Sequence, residues 1–242
     1  MRVAVFSDIH SNIDALDAVL EDAASWGAQS FFVAGDIVGY GASPEKCIKR
    51  LIEINAQCVA GNHDLGVLEK TPIDKFNHAA QTAIIWTREK LSKQSLQFLK
   101  SLPLTIQTDK IALAHANFTQ PELWEYVSSL TRAGAEFENY QSPLGIVGHS
   151  HVPFIVKKAN GEWPMQIFKT NTKFLESERV FVNVGSVGQP RDGDPRSCYL
   201  RIDMDLNEIS LIRLAYDIKA AQEKIKKARL PEVLAFRLSR GR

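Results

Sequence analysis

Cysteine is scarce, net charge is nearly nil, and long apolar runs are missing from these 242 residues. Cys47, Cys58 and Cys198 lie far apart, in no spacing typical of a metal site or redox pair. An odd, sparse set argues against a disulfide framework and fits a reducing compartment, with all three as small buried apolar residues. The first apolar run, Val3 to Phe6, is shorter than a secretion-signal core. Nothing approaches the roughly 20 apolar residues that span a bilayer. A cytoplasmic protein without a membrane partner is expected. A net charge of +1 names no polyanionic partner, but the charge is unevenly placed. Residues 217–242 hold eight Lys/Arg against three Asp/Glu, net +5, which leaves −4 on residues 1–216. Such a tail can touch nucleic acid or pack on its own acidic body, and nucleic acid is the less favoured partner. With 45% apolar and 24% charged residues, the chain has the composition of a globular enzyme and not of a disordered protein.

Histidine supplies what the chain does have. Five of the six histidines fall in short motifs that each follow a strand-like apolar run. The runs are Arg2–Phe6, Ser30–Ala34, Gln57–Ala60, Ile111–Ala114 and Leu144–Val147, rich in β-branched or aromatic residues. The motifs after them are Asp8-Ile9-His10, Gly35-Asp36, Gly61-Asn62-His63-Asp64, His115 and His149-Ser150-His151. Between them run helical patterns. Asn12 can cap a helix with Ile13, Leu16, Val19, Leu20 and Ala23 on one face. Ser43-Pro44 reads as N-cap and N1 of the next. Ala79–Leu91 and Ser92–Leu102 follow, the second stopped by Pro103.

The second half is strand-rich: Phe154–Lys158, Met165–Thr170, Val180–Val184, Ser197–Asp203 and Glu208–Ala215, with turns such as Asn160-Gly161. An α/β half followed by such a half predicts two sheets packed face to face with helices outside. Asp217–Ala228 and Pro231–Ser239 predict a helical tail. One domain over residues 1–242 is expected, with its core at about 1–215 and a basic helical tail at 216–242.

In open α/β sheets ligands gather beyond the carboxyl ends of strands, where all five motifs fall. Asp8 and His10, like His149 and His151, are two apart; an extended segment would bring each pair out on one side. Singly these signals are weak. An Asp-x-His can be surface chemistry or a cap, and a lone His115 can be a core histidine. Together they mix hard oxygen donors with imidazoles at one sheet edge, the inventory of a two-metal hydrolytic site.

The set Asp8-Ile9-His10, Gly35-Asp36-x-x-Gly39, Gly61-Asn62-His63-Asp64, His115 and Gly148-His149-Ser150-His151 resembles the signature of the calcineurin-like metallophosphoesterases. His10-Ser11-Asn12 and Gly185-Ser186-Val187-Gly188 are similar to the compact bacterial and archaeal phosphodiesterase branch. The resemblance covers about residues 1–215 in the same motif order. Relatives often carry Asn-Pro-Gly-Ser where this chain has Asn183-Val184-Gly185-Ser186, a departure in a turn.

The resemblance implies a four-layer α-β-β-α sandwich of two mixed sheets. It implies one divalent metal on Asp8, His10, Asp36 and His151, and a second on Asp36, Asn62, His115 and His149, with Asp36 bridging. A hydroxide between ions about 3.5–4 Å apart then attacks phosphorus, and no protein nucleophile is needed. His63, in neither set, is expected to protonate the leaving alcohol, with Asp64 orienting its ring; the alternative is a hydrogen bond to a neighbouring loop. Manganese is the expected activator by resemblance, with iron, zinc, nickel or cobalt also suited to these ligands.

Some residues stay open. Asn12 is either a substrate-phosphate ligand or only an N-cap. Arg191 is either a bidentate phosphate clamp or a loop partner of Asp192 or Asp194. His78 reads as a helix start or pocket wall, and Trp26, Trp86, Trp124 and Trp163 as core or lid. The leading expectation is a phosphodiesterase acting on a small nucleotide-like phosphoester. Alternatives are a phosphomonoesterase, a protein phosphatase, a diadenosine-polyphosphate hydrolase, a DNA-processing nuclease, or a non-catalytic scaffold similar to the retromer subunit.

Overall fold

The run Val3-Ala4-Val5-Phe6 is apolar at every position, as a strand covered on both faces must be. In the computed structural model, which describes residues 1–175 and 177–242, it is β1 (Arg2–Phe6). Val3 and Val5 point into the space between two sheets, while Ala4 and Phe6 point to the helices outside.

Helix α1 (Ile13–Trp26) leads to β2 (Ser30–Val33), and α2 (Pro44–Glu53) leads to β3 (Gln57–Cys58). Next come α3 (Asn62–Val67), α4 (His78–Lys90), α5 (Lys93–Ser101), β4 (Thr105–Gln107) and β5 (Ile111–Ala114). A 3-10 turn at Pro121–Leu123 and α6 (Leu130–Glu136) precede β6 (Leu144–Val147). The strand-rich part holds β7 (Phe154–Ala159), β8 (Met165–Ile167), β9 (Asn171–Lys173), β10 (Glu178–Asn183), β11 (Ser197–Asp203) and β12 (Glu208–Leu214). Helices α7 (Ile218–Lys227) and α8 (Glu232–Leu238) follow.

The strands form two mixed six-stranded sheets, ordered β3-β2-β1-β11-β12-β9 and β4-β5-β6-β10-β7-β8. Strands β1, β2 and β3 run parallel, as do β5, β6 and β10. Val3, Val5 and Phe32 of the first sheet meet Leu113, Ile146 and Val182 of the second. Each such side chain contributes about 1.5–3 kcal/mol by leaving water. On the outer face of the first sheet Phe6 packs with Leu16, Val19 and Leu51 from α1 and α2. On the outer face of the second, Ala114, Val147 and Phe181 pack with Ala133 and Phe137 at α6. The expected four layers are present.

Two expectations change. Met165–Thr170 is not one strand: β8 pairs with β7 in the second sheet and β9 with β12 in the first, so the chain crosses between sheets at 168–170. Elements β4, α3 and α6 are present without having been expected. They have three, six and seven residues, too short for a hydrophobic period to stand out. The tail is helical as expected. Its Ile225, Leu234 and Leu238 pack with Tyr40, Ala80 and Ala83, and Lys224 pairs with Asp14 of α1 at 2.5 Å. Among the described residues, no helix is long and apolar enough to cross a membrane. The three cysteines are free and buried.

Candidate metal centre

Strands β1, β2 and β6 hand over to their motifs through a sharply turned backbone. Asp8, His10, Asp36, His149 and His151 all have positive φ, between 48° and 65°. Non-glycine residues adopt this left-handed region at a cost, and it concentrates at functional sites. The spacing argument for Asp8/His10 and His149/His151 therefore reaches the right pairs for the wrong reason. These segments are not extended; left-handed turns aim the side chains. Close approach also demands glycine. A Cβ at Gly61 would collide with the Asp36 carboxylate, and one at Gly148 with Ser7 Oγ and Asp8 Oδ2.

All seven expected ligands meet. Asp8, His10 and His151 form one group able to hold a cation, and Asp36, His115 and His149 another. Asp36 Oδ2 stands between them, 3.6 Å from His10 Nε2 and 3.3 Å from His115 Nε2. Asn62 Oδ1 lies 3.1 Å from His115 Nε2. Every one of the seven is buried.

The imidazoles are pre-set. His10 Nδ1 donates to the Val38 carbonyl, His115 Nδ1 to Ala34, His151 Nδ1 to Gln189 and His149 Nε2 to Trp124. A carbonyl oxygen only accepts, so these nitrogens carry the protons and the opposite ones present lone pairs to the centre. Those free nitrogens crowd one another: His10 Nε2 is 3.2 Å from His151 Nε2, and His149 Nδ1 is 3.0 Å from His115 Nε2. Asp8 Oδ1 is buried without a well-aligned hydrogen bond, 3.1 Å from His151 Nε2. Crowded lone pairs beside an orphaned carboxylate oxygen fit divalent cations.

Burial opposes charge throughout, and neighbours decide the outcome. Desolvation pushes His10 and His151 down and takes His149 to about 3, keeping these rings neutral as ligands require. His115 is the exception: against burial, Asp36 raises it to about 9, so its Nε2 also holds a proton that a bound cation would displace before the lone pair is free. Burial would also raise Asp8 and Asp36, yet His151 beside Asp8 and His115 beside Asp36 hold both carboxyls well below the usual range.

His63 differs from the other four. Its Nδ1 is buried with no partner, its ring stacks on Phe76 at 5.1 Å, and Tyr40 lies 4.5 Å away. Desolvation, with Arg191 adding to it, lowers it to about 4. It also groups within ligand reach of His10 and Asp36.

The expected Asp64–His63 pairing is not formed. Asp64 instead accepts the backbone amides of Ile37, Val38 and Gly61, stapling the Asp36 turn to the start of α3. Its carboxyl is raised to about 7 by burial and by Asp36. It is a backbone anchor because the turns bring those amides closer than the ring.

Asn12 serves as the N-cap: its Oδ1 accepts from Ala15 N at the start of α1, and its Nδ2 donates one hydrogen to the Gly188 carbonyl. Arg191 is placed differently. Asp192 pairs with Arg213 and Asp194 with Arg196, so the loop acids are taken. Arg191 instead reaches Tyr40 Oη at 3.3 Å and lines the cleft over the centre. His78 is the exposed first residue of α4.

That cleft, about 540 Å³, is also lined by Tyr40, Phe76, Trp124 and Tyr126, and by Lys70 and Lys75. Tyr126 stacks on His149 at 4.2 Å, and Trp124 holds its tautomer. Nothing in the residue types of Tyr126 and Tyr40 marks them for the site, and Trp124 fits a core or lid place equally well. The usable signal is position, since loops after β-strand motifs carry function.

Fold and donor set together define a metal-dependent phosphoester hydrolase. The comparisons agree: residues 1–207 match the calcineurin-like phosphoesterase superfamily domain, and the chain belongs to that family. An uncharacterized protein of Methanocaldococcus jannaschii is 43% identical, covering 99% of this chain and 98% of its own. Phosphodiesterase YfcE of Escherichia coli K12 is 26% identical over 88% of this chain and 92% of its own. The crystal structure of a metallophosphoesterase from Sphaerobacter thermophilus superimposes with a TM-score of 0.87 at 34% identity, covering 100% of this chain and 99% of that one.

Proposed function

We propose that the protein is a dinuclear phosphodiesterase acting on a small nucleotide-like ester. The observation that carries this reading is the pair of donor groups joined through Asp36 Oδ2. Asp8, His10, Asp36 and His151 would hold one divalent ion, and Asp36, Asn62, His115 and His149 the other. When bound, such ions supply positive charge to a phosphoryl oxygen and acidify water near neutrality. Manganese suits the ligands, as do iron, zinc, nickel and cobalt.

The chain's own residues do the rest. Arg191 orients the phosphoryl group from the cleft wall. His63, the one site imidazole not tied to a carbonyl, delivers a proton to the leaving oxygen. Burial keeps it neutral in the free protein, and an anionic phosphoryl group beside it offsets the repulsion from Arg191 and restores its proton. Tyr126 and Trp124 wall the cleft against water while holding His149. The aromatic walls suit a base, and the kinship to YfcE, a phosphodiesterase by name, favours a diester. The α7–α8 tail is proposed as part of one domain, since its core includes Tyr40 from the cleft.

Apo-protein reconstituted with each candidate ion should be assayed on matched mono- and diesters, with metal content measured alongside. Two metal equivalents per chain and faster diester turnover are expected. One equivalent, or a monoester preference, would overturn the reading.

A further inference from the structure

Tyr40 follows the motif Gly35-Asp36-x-x-Gly39 and has no part in it. It is a non-glycine residue at φ 52°, only 5% exposed. Left-handed backbone of this kind is costly and persists only where the surroundings over-determine it. Here they do. The ring packs with Ala80, Ala83, Leu234 and Leu238, and it lies edge-on to His10 at 4.6 Å and tilted on His63 at 4.5 Å. Tyr40 thus lines the cleft beside both an expected metal ligand and the expected proton donor. Its hydroxyl oxygen accepts from Arg191 Nη2 at 3.3 Å, and among the described residues nothing accepts the hydroxyl's own proton. Arg191 does not depend on that bond, because the same Nη2 donates to Gln189 Oε1 at 3.1 Å. A hydroxyl that accepts from a cation is polarised into a stronger donor.

We infer that Tyr40 is a catalytic residue whose hydroxyl donates to a non-bridging oxygen of the phosphoryl group that Arg191 orients. A neutral donor fixed in place before the substrate arrives stabilises charge building on that oxygen, with no reorganisation at the moment of reaction. The hydroxyl keeps its proton throughout. His63 still protonates the leaving oxygen, so the two residues act on different atoms of one group. The inference rests on the proposed function and adds a residue to its machinery.

The test uses the full-length, metal-loaded protein and Tyr40→Phe, which keeps the ring and its packing. Metal content and Tm should be unchanged, while kcat/KM on a chromogenic phosphodiester falls about 10- to 100-fold, the effect of one hydrogen bond to a charged group. The loss should be the same across a series of leaving groups. A loss that shrinks as the leaving group becomes more acidic would place the proton on the leaving oxygen and overturn the inference. In an Arg191→Gln background the tyrosine change should still cost about tenfold. No further loss there would make Tyr40 only a holder of Arg191, and kcat/KM within twofold of wild type in the single variant would remove it from the reaction; either result overturns the inference. If the wild type turns over no diester, the proposed function fails, and calorimetric titration with inorganic phosphate still decides the hydroxyl. Tyr40→Phe should bind phosphate about tenfold more weakly; equal affinity, or no binding by the wild type, would overturn it.

Discussion

His63 and Asp64 are adjacent in sequence and part company in role. The ring faces the cleft with an unpaired nitrogen; the carboxylate faces backward to three amides. His63→Ala should retain the metals but lose about 10²–10⁴ in kcat, least for esters with acidic leaving groups. Equal losses across a leaving-group series would argue against proton donation. Asp64→Ala leaves those buried amides unsatisfied, at about 1–3 kcal/mol for the worst-placed one, and should lower urea stability and metal retention together. Asp194 offers a pH test away from the metals. Its hydrogen bonds to Arg196 lower it from 3.8 to about 2. A depressed carboxyl stabilises the fold fully above its unfolded value and loses that contribution as pH falls towards 2. With Arg196 half-exposed, the term is on the order of 1 kcal/mol after screening. Urea titrations of wild type and Asp194→Asn should differ by that much at pH 7 and by less at pH 3.

At the scale of elements, the parallel strands and the turns after them divide the labour. Strands β1, β2, β3, β5 and β6 were legible because local apolar runs ended in punctuating motifs. The left-handed turns were not, because Asp and His carry no sequence mark of positive φ as glycine does. Helix α1 shows the same limit: its cap was visible, but the second use of Asn12, on the distant Gly188 carbonyl, was not. Asn12→Ala should reduce stability by about 1–2 kcal/mol, as loss of a good N-cap does, with KM little changed. A large rise in KM with unaltered stability would return Asn12 to the substrate site.

For the whole molecule, the tail and the metals are the two levers. The tail's apolar face completes a cluster with α4 and Tyr40, so its basic charge does not by itself make it a nucleic-acid arm. Leu234 is fully buried, and Leu234→Ala should cost about 2–5 kcal/mol in equilibrium unfolding, with weakened substrate binding through Tyr40. Ions that bind only the folded state add stability that grows with their concentration, about 2.7 kcal/mol at 100 times Kd. Chelation should therefore lower Tm, and each suitable ion should restore it; an unchanged Tm would count against the centre.

The sequence by itself determined the family, the strands that carry the motifs, and the seven side chains that meet at the centre. Donor chemistry and apolar runs are properties of side chains in order, and both survive without coordinates. Tertiary structure decided which ring nitrogens face inward, because the partners of Nδ1 or Nε2 are backbone carbonyls with no residue signature. It also decided that Asp64 staples turns, that Asn12 ties the α1 cap to the Gly188 carbonyl, and that Arg191 is free of its loop acids. Each of these depends on which of several nearby groups lies within about 3 Å, and hydrogen-bond reach is settled by packing and not by spacing along the chain.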